Sequence, residues 1–196
     1  AGYLAEVGVD YESLSSNGLK GDYGGWFTAM AKRYDFVSRY AWAVPSKDAL
    51  TLIARYSPLI EIGAGTGFWA MHLADAGADI VALDLHPTVS RARKNHFHKP
   101  VAFYPVQYGG ARTLSQYPGH ALFLCWPPYQ GPMAADCLRY YKGNVVIYIG
   151  EGEGGCTGDD RFYRRLERDW LEIETLDIPQ WPGLHDYLSI YRRRTA

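Results

Sequence analysis

From Pro58 onward the chain alternates short apolar runs with amphipathic stretches. The apolar runs are Leu59–Ile62, Ile80–Asp84, Val101–Tyr108, Ala121–Cys125 and Val145–Ile149. Near-continuous apolar runs bounded by Gly, Pro and Asp read as strands covered on both faces. The intervening stretches repeat apolar residues at three- and four-residue spacing and read as helices: Phe68–Ala76 (stopped by Gly77), a charged helix around Val89–Asn95, a short one near Ala111–Gln116, Met133–Tyr141 and Arg161–Asp169. Two further strands, Leu171–Ile178 and Tyr187–Arg192, are joined by a connection too short for a crossover helix, which predicts an antiparallel hairpin. Strand–helix alternation wound with right-handed crossovers gives an α/β fold: a doubly wound, seven-stranded, mostly parallel sheet ending in an antiparallel hairpin.

Before Pro58 the pattern differs. Residues 1–25 are polar and Gly-rich and read as an extended arm. Phe27, Met30, Ala31, Tyr34, Val37 and Ala41 then recur at helical spacing until Pro45, and Ser46 opens a second helix that buries Ala49, Leu50, Leu52 and Ile53. The expected organisation is an N-terminal arm and helical cap over 1–45 and one α/β domain over 46–196. There is no internal repeat.

Composition narrows the class. The 196 residues are 47% hydrophobic with a net charge of -1, values of an ordinary globular protein with no field drawing it to nucleic acid or membrane. The three cysteines cannot form a disulfide framework and fit a reducing, cytoplasmic setting. No apolar run reaches the length of a membrane span, and the first residues lack the charged-then-apolar order of a secretory leader. The high aromatic content, with 16 Tyr and 6 Trp, predicts rings lining a pocket as well as the core.

The strongest chemical signal is the junction after the first strand, Glu61-Ile62-Gly63-Ala64-Gly65-Thr66-Gly67. Three glycines remove Cβ atoms where a ligand would press on the backbone and permit the left-handed conformations of a tight turn. A glycine turn between a parallel strand and a helix marks a nucleotide-type site at the carboxyl edge of the sheet. Glu61 is a candidate for the ammonium of an amino-acid moiety or, alternatively, a carboxylate serving the next helix. Asp84 ends the second strand roughly 20 residues beyond the turn, where an acid accepts from ribose hydroxyls; alone it reads equally well as a turn residue before Pro87.

The spacing E-x-G-x-G-x-G resembles the first motif of class I S-adenosylmethionine (SAM) methyltransferases more than the dinucleotide pattern G-x-G-x-x-G. The resemblance covers about residues 45–196 and implies SAM as cofactor, held by Glu61, Gly63, Ala64, Gly65, Thr66, Gly67 and Asp84, with Cys125 at the end of the fourth strand. It also implies that Gln107, in the loop after the third strand, meets the adenine, and that the aromatic N-terminal arm (Tyr23, Trp26, Tyr34, Phe36, Tyr40, Trp42) packs over the pocket, with Tyr34 and Tyr40 near the sulfonium or the substrate. Cys125-Trp126-Pro127-Pro128-Tyr129 is similar to the Asn/Asp-Pro-Pro-Tyr turn of methyltransferases acting on planar amino groups, in which the Asn or Asp accepts from the amine and the Tyr stacks on it. Here Trp126 stands in the accepting position, and an indole only donates. The expected recognition therefore passes to the Pro127 and Pro128 carbonyls and to the rings of Trp126 and Tyr129, against which an aromatic substrate or a cation would rest.

The remaining candidates lie on the same rim. Glu151, a candidate base for an acceptor that must lose a proton, opens the acidic Gly-rich stretch 150–160, read as a mobile loop that gates the pocket or holds a cationic substrate group, or as a solvated loop, with Asp159 and Asp160 as helix caps. His185, paired with Asp186, is a candidate general base or a surface loop residue. His96 and His98 lack the partners of a metal site, and none is expected. The arginine clusters read as solvated faces. The function expected is methyl transfer from SAM to a small-molecule or amino-group acceptor beside Pro127–Tyr129. The alternatives are a SAM-dependent cyclase or lyase releasing methylthioadenosine and a non-catalytic SAM-binding protein. A nicotinamide-dependent oxidoreductase fits the glycine spacing less well.

Overall fold

The computed structural model describes residues 33–92, 94–181 and 183–195. The arm over 1–25 and the expected helix positions Trp26, Phe27, Met30 and Ala31 lie outside the described residues.

Seven strands form one sheet in the order β3-β2-β1-β4-β5-β7-β6. They are β1 (Leu59–Ile62), β2 (Ile80–Asp84), β3 (Val106–Tyr108), β4 (Ala121–Cys125), β5 (Val145–Gly150), β6 (Trp170–Asp177) and β7 (Tyr187–Arg193). Pairs β1–β2, β1–β4, β2–β3 and β4–β5 are parallel, whereas β7 runs antiparallel to both β5 and β6. The order reverses between β1 and β4, and such a switch point opens a crevice at the carboxyl ends of the strands.

Helices cover both faces. The α1 helix (Lys47–Ala54) is capped by Ser46, whose hydroxyl accepts from Ala49 N at 3.2 Å, and α2 (Phe68–Asp75) follows the glycine turn. On the other face lie a 3₁₀ helix (Ala111–Gln116), α3 (Met133–Tyr140) and α4 (Asp160–Asp169). The Asp159 carboxylate caps α4 by accepting from Phe162 N at 2.9 Å, in keeping with the preference for acids at that position. Along β1 the pleat sends Leu59 into the core beneath α1 and α2, and Ile60 and Ile62 into the opposite core with Leu114, Leu138 and Phe162. Glu61 shares the face of Leu59 by the same alternation.

Three expected elements differ. The helix that was to reach Pro45 ends at residue 39. At its end the carbonyls serve other partners: Ser38 O accepts from Lys99 N at 2.7 Å, and Tyr40 O accepts from the Thr66 hydroxyl. The charged helix around Val89–Asn95 is absent among the described residues. Asn95 instead donates to His86 O (2.7 Å) and accepts from the amides of Phe97 and His98, while the Thr88 hydroxyl bonds Val101 O. Such side-chain bonds to the backbone compete directly with helix formation. The third strand begins at Val106, not Val101, because Phe103 N is drawn to Thr66 O at 2.8 Å instead of to β2.

No helix among the described residues is long and apolar enough to cross a membrane.

Candidate functional site

A cavity of about 690 Å³ opens at the carboxyl ends of β1, β2 and β4. Of the residues singled out from sequence for the pocket, Trp42, Gly63, Gly65, Asp84, Cys125, Trp126, Pro127, Pro128 and Tyr129 line it. Glu61, Ala64, Thr66, Gly67, Gln107, Glu151 and His185 are not on its wall.

The glycine turn is a left-handed staircase, with φ of 79°, 55° and 73° at Gly63, Gly65 and Gly67. These values favour glycine at each step. The turn is tied to β2: Gly63 N and Ala64 N both donate to Leu83 O, and Gly65 N donates to Asp84 Oδ2 at 2.9 Å. His86 N donates to the other oxygen, Oδ1, at 2.7 Å. Each carboxylate oxygen keeps capacity for a further donor from the cavity. Gly67 is needed for packing: a Cβ there would lie 2.9 Å from Tyr104 Cβ and 3.1 Å from Tyr104 O.

Glu61 is 2% exposed, and its Oε2 has no partner among the described residues. Burial, reinforced by the charge of Asp84, pushes its pKa up to about 8. A buried carboxyl with an open oxygen is costly to ionise, so a cation brought beside it restores its charge.

The other half of the rim is different. Trp126 has a positive φ of 50° and is 8% exposed. Its Nε1 donates to Asp186 Oδ2 at 2.8 Å, its ring stacks on Trp42 at 5.7 Å, and the Arg33 guanidinium lies 5.0 Å from its centroid. The cation expected against Trp126 is thus supplied by the chain itself. The prolyl carbonyls also have internal donors: Pro127 O accepts from Gly158 N and Pro128 O from Gly131 N, both at 3.1 Å. Tyr129 is 59% exposed, its hydroxyl accepting from the Gln130 amide.

The expected pairing of His185 with Asp186 does not form. Asp186 is turned inward to Trp126, and burial raises its pKa although the indole bond opposes this. His185 projects outward with its Nδ1 3.7 Å from Glu151 Oε1. Glu151 accepts from Cys156 N (2.8 Å) and His185 N (2.9 Å). Burial raises its pKa, but these donors outweigh burial and the net shift is downward. It braces the 150–158 loop as an anion, an assignment unlike that of a base. The loop itself is pinned: Thr157 Oγ1 lies 2.6 Å from Tyr148 Oη, and Tyr163 Oη donates to Glu151 O and Thr157 O, both at 2.8 Å. Those bonds replace the mobile gate expected from composition.

Gln107 is exposed on β3 and does not line the cavity, whereas Gly110 and Ala111 in the stretch that follows do. Tyr34 is 75% exposed, and Tyr40 packs among Phe36, Phe68 and Phe103, away from the cavity. Trp42, expected over the pocket with the rest of the arm, does line it, whereas sequence reasoning missed Arg33, Met133 and the run Asn95–His98, all of which line the cavity. The usable signal was Asn95 itself, a turn former two residues before an aromatic, inside a stretch read as helix. Among the described residues no cluster of three His, Cys, Asp or Glu is placed to hold a metal ion.

A scan against protein-family models finds no match, and a search of curated proteins finds none. Solved structures do match. The chain is similar to a mutant of MtNAS in complex with S-adenosylmethionine, at 10% identity and a TM-score of 0.51 over 93% of this chain and 71% of that one. It is also similar to magnesium protoporphyrin IX methyltransferase (ChlM) from Synechocystis PCC 6803, at 13% identity and a TM-score of 0.45 over 98% and 94% of the two chains. A third is the Burkholderia thailandensis 1,6-didemethyltoxoflavin-N1-methyltransferase, at 16% identity and a TM-score of 0.46 over 88% and 90%. The MtNAS likeness, with the strand order and the antiparallel β7, shows the fold: a Rossmann-like α/β sheet, mostly parallel and ending in an antiparallel hairpin.

Proposed function

We propose that this protein binds SAM at the β1–β2 edge and transfers its methyl group to a small-molecule acceptor. The observation that carries the reading is the single bonded unit made by the glycine turn and Asp84, with the open carboxyl of Glu61 beside it. The residues fit the group. Gly63 and Gly65 line the cavity, Asp84 offers lone pairs to a ribose, and Glu61, buried outside the cavity wall, holds an open acceptor toward which an ammonium would point. SAM supplies a methyl already activated on a sulfonium, so the protein's part is chiefly to position the acceptor and exclude water.

The acceptor side is apolar and aromatic, formed by Trp42, Phe97, Trp126, Pro127, Pro128 and Met133. It suits a planar, weakly polar molecule. Trp126 donates to Asp186 and has no acceptor to offer an amine, so the amino-group analogy of the Pro-Pro-Tyr turn has no side-chain support here.

The same replacement of an acceptor by Trp126 favours one second reading, a SAM-dependent enzyme releasing methylthioadenosine. The test is incubation of the purified protein with SAM and a cell extract, with the nucleoside products read by mass spectrometry. S-adenosylhomocysteine above the protein-free control is the expected result. Methylthioadenosine in its place supports the second reading, and neither product, together with no SAM binding by calorimetry, overturns both. Replacement of Asp84 by Ala is expected to weaken SAM roughly 30-fold, the loss associated with hydrogen bonds to a charged group.

A further inference from the structure

His98 belongs to neither recognised motif, yet it occupies the most informative corner of the cavity. Its amide is held by Asn95 Oδ1 at 2.9 Å. Its ring Nδ1 lies 2.8 Å from Val37 O, on the helical segment 33–39. A carbonyl only accepts, so Nδ1 carries the proton, and in the neutral ring Nε2 is a lone-pair acceptor. That acceptor lies over the middle glycine: a Cβ on Gly65 would sit 2.6 Å from His98 Nε2. Gly65 N is in turn bonded to Asp84 Oδ2. Gly65, Asp84 and His98 all line the cavity. The ring is fixed from outside as well, because Lys99 N donates to Ser38 O (2.7 Å) and Lys99 Nζ reaches Asp35 at 2.6 Å.

We propose that His98 is a ligand-binding residue that, with Asp84, receives the vicinal diol of a nucleoside, Asp84 accepting from one hydroxyl and His98 Nε2 from the other. The inference rests on the SAM reading and deepens it: the site selects a nucleoside with both ribose hydroxyls free. Two acceptors flanking a bare glycine match two donors on adjacent carbons, whereas a 2′-phosphate would meet a carboxylate and a lone pair and be repelled.

Burial lowers the His98 pKa, against the opposing pull of the Val37 and Ser38 carbonyls and of Asp84, and keeps the acceptor form present at neutral pH. The other charged or titratable groups on the cavity wall are Arg33, His86, His96, Cys125, Tyr129, Asp136 and Cys156. Protonation would turn Nε2 into a donor facing a donor, so ligand affinity should fall on the acid side of neutrality through this ring.

The test is calorimetric titration of the full chain with S-adenosylhomocysteine and with methylthioadenosine, which shares the ribose but lacks the amino acid. It is done on the wild type, His98→Ala and His98→Gln, from pH 5 to 8. The expected result is a roughly tenfold loss for both ligands in His98→Ala. His98→Gln, which keeps an acceptor oxygen, recovers part of it, and the acid-side fall of the wild type is shallower in both variants. In the wild type, the His98 Nε2 nitrogen resonance should move on ligand addition, a readout that needs no variant to fold. Loss for S-adenosylhomocysteine alone would put the contact at the amino-acid end and overturn the diol assignment. Wild-type binding with unchanged variants and an unmoved resonance would overturn the role of His98 and leave the SAM reading standing. Wild type that binds neither ligand at millimolar concentration would overturn the SAM reading and this inference with it.

Discussion

The two halves of the carboxyl rim treat polar atoms in opposite ways. At β1 and β2 the acids hold capacity in reserve: Asp84 uses backbone amides for orientation and keeps lone pairs for the cavity, and Glu61 keeps Oε2 unpartnered among the described residues. At β4, β5 and β7 most polar groups are consumed internally: Trp126 by Asp186, Glu151 by Cys156 and His185, and Thr157 by Tyr148, with Asp186 Oδ1 and Ser189 Oγ the exceptions. A buried polar group left open costs stability, and its persistence points to a ligand that completes it. One half is therefore built around a missing partner, and the other is a scaffold that gives the acceptor its shape through rings.

This contrast can be broken from either side. The largest effect expected is at Glu61. Its folded-state pKa of about 8 is raised above the ordinary carboxyl value of 4.5. The folded state thus holds a proton that the unfolded state gives up, and stability is full below 4.5 and declines as pH rises to about 8. Glu61→Gln should remove that decline and exceed the wild type at pH 8.5 by up to ~4 kcal/mol, measured by denaturant unfolding at pH 5 and 8.5. Equal pH slopes would mean that Glu61 already has a partner. Next comes Gly65→Ala, which imposes a side chain at φ 55° against His98. Nucleoside affinity should fall on the order of 100-fold, with a melting temperature lowered by a few degrees through the backbone strain; an unchanged affinity would separate the glycine turn from the ligand.

On the other half, Trp126→Phe keeps the ring but leaves Asp186 Oδ2 without its donor. It should cost about 2 kcal/mol of stability and only modestly affect nucleoside binding, seen by unfolding and calorimetry on the same sample. A large loss of binding with intact stability would move Trp126 into the cofactor site. The smallest effect is expected for Tyr163→Phe, which removes a hydroxyl that donates to two carbonyls in the 150–158 loop. It should cost about 1 kcal/mol and speed amide exchange in that loop alone.

The reserved acids were legible in the sequence, and so were the parallel strands on both halves of the rim. A glycine turn and a strand-ending acid are local signals, and the apolar runs of β1, β2, β4 and β5 are continuous because both sheet faces are covered. What stayed hidden depends on distant partners. Val101–Phe103 is apolar enough for a strand, yet Phe103 N is claimed by Thr66 O across the glycine turn. Residues 89–95 carry helical spacing, but Thr88 and Asn95 spend their side chains on backbone atoms. His185 and Asp186 are neighbours in sequence and face opposite ways, because Asp186 meets an indole 60 positions away. His98 was legible only as a histidine without metal partners; its role follows from Val37, 61 positions distant.

The central claim is that the glycine turn, Asp84 and Glu61 form a SAM site. A crystal structure of the protein grown with S-adenosylhomocysteine tests it most directly. The account predicts density over Gly63–Gly67, with the ribose on Asp84 and the amino group toward Glu61. A nucleoside bound elsewhere, or a clear cavity at millimolar ligand, would contradict it.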